Sequence, residues 1–313
     1  MGLYRRAREI DFRIAALPRL PAPQVAILAD PGHFDVVDAL NPHMLDERGE
    51  LKRADRTKAR EEWDALRAAI EDCDLRVIVL DAVAGQPDFV FCANTALPIP
   101  GAALHDGRPR AVPSRMSHPS RRGEVEPMVR ALERLGVLVE PLSGPAERFE
   151  GTGDGLWHPG RRLLWAGVGP RTCDEAWEEI AARYELPLVR LGLVDPAFYH
   201  LDTCLALLAE DACLWHPPAL EPAARELVEA LGPRRIEADP REAREGLACN
   251  ALAVGGRVLL PAGCPVTRAR LEREGFEVRE VDTAEFQKSG GSVFCMKLLL
   301  DVEAASPAQG FGS

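Results

Sequence analysis

This chain has no apolar run long enough to cross a membrane and no pair of cysteines spaced C-x-x-C. Its basic residues, 38, are outnumbered by 49 acidic ones. Each absence excludes something. A membrane span needs about twenty consecutive apolar residues, so none is expected. A structural zinc site is not expected without paired cysteines. The net charge of −11 argues against nucleic acid or an anionic membrane as partner, because both require a clustered basic surface. The basic Tyr4-Arg-Arg-Ala-Arg8 is not followed by an apolar segment, and Pro18 to Pro23 interrupts what would have been one, so no secretory signal is expected. The eight cysteines are scattered and read as reduced thiols in the cytoplasm. Hydrophobic residues make up 46% of the chain, enough for a core without disulfide or metal.

What is present is a rhythm. A helix with Val125, Met128, Leu132 and Leu135 at helical spacing stops at Gly136, and Val137-Leu-Val139 extends after it. The pattern of two short strands, a helix and a third strand returns three times. One helix begins at Asp174, one runs from Pro222 to Leu231, and one runs from Val266 to Glu274. Near the start, the strand Val25-Ala-Ile-Leu28, the helix Ala54 to Ile70 and the strand Leu75 to Leu80 lack one strand. At the end, Ser292-Val-Phe-Cys-Met-Lys-Leu-Leu-Leu300 reads as a buried strand that lacks a helix. The two remainders complete each other if the chain closes on itself, leaving no open edge. Periodicity thus predicts five ββαβ units around an axis, with residues 1–24 as an arm rather than core, 25–303 as one α/β domain and 304–313 as a tail. Two doubly wound domains are the competing architecture, but nothing near the middle reads as a linker.

Polar residues recur at one phase of the repeat: Asn94, Glu150 with Asp154, His200 with Asp202, and Cys295. Two residues apart on a strand share a face, so His200 and Asp202 are expected to point the same way. Gly290-Gly291 lets backbone approach a ligand or take positive φ, which sets Cys295 at the rim of a pocket. Gly167-Val-Gly-Pro-Arg-Thr172 lacks the third glycine of a phosphate cradle. His200 and Asp202 lack a third metal ligand at readable spacing. A cysteine, a histidine and several carboxylates suit a cationic electrophile. Carboxylates grip guanidinium N–H groups bidentately, and a thiolate attacks the carbon.

The motifs that carry a family resemblance run through nearly the whole chain. They are His33-Phe-Asp35, Asn41-Pro-His-Met44, Phe91-Cys-Ala-Asn-Thr95, Phe149-Glu-Gly-Thr-Gly-Asp154, Phe198-Tyr-His-Leu-Asp-Thr-Cys204, Ala248-Cys-Asn-Ala251, Glu285-Phe286 and Gly290-Gly-Ser-Val-Phe-Cys295. In this order the sequence resembles the guanidine-modifying enzymes of the pentein fold: arginine deiminases, dimethylarginine dimethylaminohydrolases, amidinotransferases and arginine dihydrolases. The resemblance implies a five-bladed α/β propeller and no metal or organic cofactor. It makes Cys295 the nucleophile and His200 the general acid/base, with Glu150 or Asp154 the carboxylate that orients it. Asp202 would hold the guanidinium, and Arg115 and Arg171 would clamp the substrate α-carboxylate.

Asn94 stands where deiminases and dimethylargininases usually carry aspartate. Together with Asn41 it looks like the arginine dihydrolase branch, since a neutral amide both donates and accepts. The expected function is therefore cofactor-free hydrolysis of arginine to ornithine, ammonia and carbon dioxide. A single cycle ending at citrulline, dimethylargininase activity, amidinotransfer and non-catalytic arginine binding are the alternatives. The dihydrolase's hydrolase module is what this length is expected to hold, with a small-molecule partner and a homo-oligomer left open.

Overall fold

The computed structural model describes residues 2–232 and 234–302; the expected tail 304–313 lies outside them. Five sheets share one strand pattern, in which an antiparallel pair is extended by a third strand parallel to its neighbour. In one of them, Leu205–Ala209 pairs antiparallel with Ala212–Trp215, which pairs parallel with Arg234–Glu237. The parallel step needs a crossover, and the helix Pro222–Leu231 supplies it. Its proline occupies the first turn, where an N–H has no partner in any case. Ala223, Ala224, Leu227 and Val228 form its buried face, and it ends at Gly232 with φ 73°, the left-handed stop that glycine takes without strain.

The helix Arg56–Glu71 makes the same crossover between Val25–Ala29 and Arg76–Leu80, capped by Asp55, which accepts from the N–H groups of Thr57 and Lys58. The missing strand of that sheet comes from the far end of the chain. Leu298–Leu300 pairs antiparallel with Val25–Ala29, Leu298 opposite Ile27, so the two sequence remainders do join. All five residues of Val25–Ala29 are buried, as a central strand covered on both faces requires.

Three expectations are corrected. Residues 2–24 are not an arm outside the core: Leu3–Tyr4 adds a parallel strand beside Leu188 and Val189, and Ile14, Leu17 and Leu20 are buried. Phe89-Val-Phe-Cys92, whose apolar run reads as a short strand flanking a loop, forms tight turns instead, and the strand there is Ala96–Ile99. The strand expected over 292–300 begins at Leu298.

Candidate active site

Cys295 lies in a turn because one side chain takes the amides a strand would have used. The Asn250 Oδ1 accepts from the backbone N–H groups of Ser292, Phe294 and Cys295 at 3.1, 3.1 and 3.2 Å. Its Nδ2 donates to Cys295 Sγ at 3.1 Å and to the Asp202 carbonyl at 3.2 Å. The turn before it needs both glycines. Gly290 has φ 82°, and a Cβ on Gly291 would stand 2.3 Å from the Phe91 ring. Asn41 ties this turn to another segment, donating to the Ser289 carbonyl and accepting from the His43 N–H, each at 2.9 Å.

His200 and Asp202 do not share a strand face. Leu201–Thr203 is a single tight turn, and the two side chains part. The Cys295 thiol stands 3.1 Å from Asp202 Oδ2, while His200 Nε2 stands 2.9 Å from Glu150 Oε2. Glu150 is fully buried. It also accepts from the Ser117 N–H at 3.0 Å and hydroxyl at 2.5 Å, and from Arg171 Nη1 at 3.3 Å. Asp154 is a brace behind them: it accepts from the Thr172 hydroxyl at 2.6 Å and from the Leu201 N–H at 3.0 Å, fixing the residue after His200. Of the two acids in Glu150-Gly-Thr-Gly-Asp154, it is Glu150 that touches the imidazole.

A small pocket gathers Asn41, Asn94, Arg121, Arg171, Tyr199 and Cys295 on its wall. Its free space is about 10 Å³, room for about one water, so a larger ligand enters by displacing the lining. Arg171 lies over the Tyr199 ring, 5.0 Å from its centre. Arg115 is not there. Its guanidinium donates to the carbonyls of Leu142, Gly144 and Ala146, which removes it from any role in this pocket. Arg121 stands there instead, held by both Glu124 oxygens and donating to Asn94 Oδ1 at 3.0 Å. Sequence reasoning assigned no role to Arg121 or Asn250. Asn250 lay within a quoted motif, whereas nothing set Arg121 apart from its neighbour Arg122.

Five buried polar atoms here lack a hydrogen-bond partner among the described residues: Asp88 Oδ1, Asn94 Nδ2, His200 Nδ1, Asp202 Oδ1 and Ser289 Oγ. Buried polar atoms are almost always paired, so their concentration marks a place for a polar ligand. The charges divide the site. Burial would raise the Glu150 carboxyl, but the His200 hydrogen bond and the Arg171 and Arg121 charges hold it well below the usual carboxylate range. Burial, then the Asp202 charge, pushes the Cys295 thiol well above its ordinary value, and burial pushes Asp202 up as well. Burial also raises Asp154, to about 6. Among the described residues no three His, Cys, Asp or Glu side chains cluster as a metal site, and no helix is long and apolar enough to cross a membrane.

Comparison with known proteins gives this arrangement relatives. The model of the family described as N,N dimethylarginine dimethylhydrolase, eukaryotic, matches residues 34–300. This chain belongs to that family. The N(G),N(G)-dimethylarginine dimethylaminohydrolase of Mycobacterium tuberculosis is 35% identical over 280 residues, covering 90% of this chain and 87% of its own. The bifunctional arginine dihydrolase/ornithine cyclodeaminase ArgZ of Synechocystis sp. is 34% identical over 275 residues, 87% of this chain. The match spans 37% of ArgZ's length. Among solved structures, the N-terminal domain of ArgZ, an arginine dihydrolase bound to product, superposes with a TM-score of 0.81 at 32% identity, covering 88% of this chain and 97% of that one. A dimethylarginine dimethylaminohydrolase variant in adduct with S-methyl-L-thiocitrulline gives 0.73 at 27% identity, covering 89% and 100%. The fold is the mixed α/β pentein fold, near the hydrolase module of the arginine dihydrolases.

Proposed function

We propose that the protein hydrolyses the guanidino group of arginine twice, converting arginine and two waters to ornithine, two ammonia and carbon dioxide. Family membership places it among hydrolases of amidine C–N bonds. One observation supports the two-cycle product. Asn94 gives its oxygen to Arg121 and keeps a buried, unpartnered Nδ2 beside the Cys295 pocket, so it offers a donor. A guanidinium has no acceptor to meet it, but a ureido oxygen does.

In the first cycle the guanidinium donates to Asp202 Oδ1, and its charge stabilises the Cys295 thiolate, whose proton passes to His200. The thiolate attacks the central carbon, and His200, oriented and charge-stabilised by Glu150, protonates the departing ammonia. Water deprotonated through His200 then displaces sulfur and leaves the ureido group. That group turns its oxygen to Asn94, and a second attack by Cys295 expels the second ammonia, protonated by His200. A second water displaces the sulfur to leave a carbamate on the side-chain nitrogen, and the carbamate loses carbon dioxide to give ornithine. Arg171 anchors the α-carboxylate, Asn41 and Asn250 hold the two loops, and no cofactor takes part. The five sheets serve as blades of one propeller, and the setting is the cytoplasm.

Mass analysis of products from arginine, methylated arginines, succinylarginine and agmatine tests this. Ornithine with two ammonia per arginine is expected, and citrulline accumulating without ornithine would end the two-cycle reading. The family model and the 35% identical relative favour one other outcome, a single cycle on methylated arginine giving citrulline and an amine.

A further inference from the structure

A second cavity, of about 270 Å³, has a lining that shares no residue with the Cys295 pocket. Its wall is mainly apolar, with Ile99, Leu156, Leu207, Leu252 and Phe294, and Lys297 stands among them. Lys297 follows Cys295 by two residues, yet it is 1% exposed. Its Nζ sits 3.0 Å from the centre of the Phe294 ring.

The other polar side chains of the wall, Asp301 apart, are engaged. Arg110 is bound by Asp106 and Glu140. His158 uses Nε2 on the Glu210 carbonyl and Nδ1 on the Trp165 N–H. Thr152 donates to the Ala93 carbonyl. Asp301 is half-buried on the same wall, with its carboxyl raised by burial. Lys297 differs. An ammonium carries three donors, and among the described residues its Nζ makes neither a hydrogen bond nor an ion pair. A face-on aromatic ring favours a desolvated cation, but by less than burial costs an ion. Burial accordingly pushes Lys297 down to about 7, opposed in part by Asp202 and Cys295 on the active-site side. The cavity side is open, and an anion arriving there would hold the ammonium.

We propose that this cavity is a second ligand site, which takes a small organic anion with its carboxylate on Lys297 Nζ and a short apolar body along the Leu207 and Phe294 wall. A carboxylate accepts the donors that Lys297 leaves unused, and the apolar body removes hydrocarbon surface from water. A dication or a sugar fits neither feature. Binding here does not depend on the activity proposed above.

Calorimetric titration of the full chain with hexanoate, with 1-hexanol and hexylammonium as controls, tests the site. Hexanoate binding is expected, with hexylammonium excluded. Lys297→Met should weaken hexanoate by about tenfold or more, equivalent to about 1.4 kcal/mol, and leave 1-hexanol unchanged. Ala253→Trp keeps the lysine and fills the cavity, so it should abolish both, with circular dichroism confirming the fold of each variant. Hexanoate binding that survives Ala253→Trp undiminished would place the anion elsewhere, including on the arginines of the Cys295 pocket, and overturn the proposal. So would failure of the wild-type chain to bind hexanoate at millimolar concentration.

Discussion

The two sides of the Cys295 pocket are held in opposite ways. On one, Glu150 gathers Ser117, Arg171 and His200, a cluster in which the carboxylate is fully partnered without a ligand and His200 Nδ1 alone is left open. On the other, Cys295 and Asp202 face each other and the neutral amide of Asn250, both pushed toward their protonated forms by burial. The His200 side is finished and the Cys295 side is not. The buried thiol and carboxyl have no cation in hydrogen-bond contact, Lys297 acting on them only as a nearby charge, and an arriving guanidinium supplies one. The attacking sulfur is therefore expected to ionise when substrate binds, which protects a deeply buried thiolate from forming in its absence.

Breaking the finished side has the largest expected effect. Glu150→Gln removes the charge that stabilises a protonated His200, and turnover of arginine should fall by about 10² to 10⁴, the usual worth of general acid–base catalysis. The Cys295 thiol should still be alkylated at the wild-type rate, because Glu150 does not touch it. Equal losses in turnover and alkylation would show that the two sides are not separate. Asn250→Ala attacks the other side. It frees three amides and the sulfur contact at once, and a displacement of about 1 Å at the reacting atom costs about 10² in turnover. Here alkylation should change and the His200–Glu150 pair should not, which an imidazole NMR titration would follow.

The same contrast sets a pH dependence. A thiol raised above its ordinary value has less thiolate at every pH below that value. Iodoacetamide modification of Cys295, read by peptide mass analysis, should thus be slow at neutral pH and climb through pH 9 without a plateau. Each pH unit there should raise the rate about tenfold. A plateau below pH 8 would mean that Cys295 rests as a thiolate and would dissolve the contrast.

The sequence carried the scaffold further than the site. The helix Pro222–Leu231 is written locally, in a starting proline, an apolar face and a terminal glycine. The turn holding Cys295 is not, because its cause is Asn250, far away in sequence. Ser292-Val-Phe-Cys-Met-Lys-Leu-Leu-Leu300 has strand composition throughout, and the Asn250 oxygen overrides it for three amides. The first 24 residues failed for a related reason: Ile14 and Leu17 are buried from short turns, which leave no period to read. Asn94, Glu150, His200, Asp202 and Cys295 were legible as a set. Which of them touch was not, since strand spacing placed His200 and Asp202 on one face and the turn at Leu201–Thr203 separates them.

Arg115 and Arg121 make the smallest and most discriminating test of that limit. Both follow a serine within a few residues of each other, and no local feature ranks them. The fold does: Arg121 is buried against Asn94 and Glu124, while Arg115 staples the carbonyls of Leu142, Gly144 and Ala146. Arg115→Ala should therefore act on stability. Charge-assisted hydrogen bonds contribute about 1.5–3 kcal/mol each, and losing this set of three lowers Tm by on the order of 10 °C in a domain of this size. KM for arginine, measured well below the new Tm, should stay within about twofold, since a buried polar staple outside the pocket adds nothing to ligand affinity. A large rise in KM at unchanged Tm would return Arg115 to the carboxylate clamp that the family resemblance assigned it.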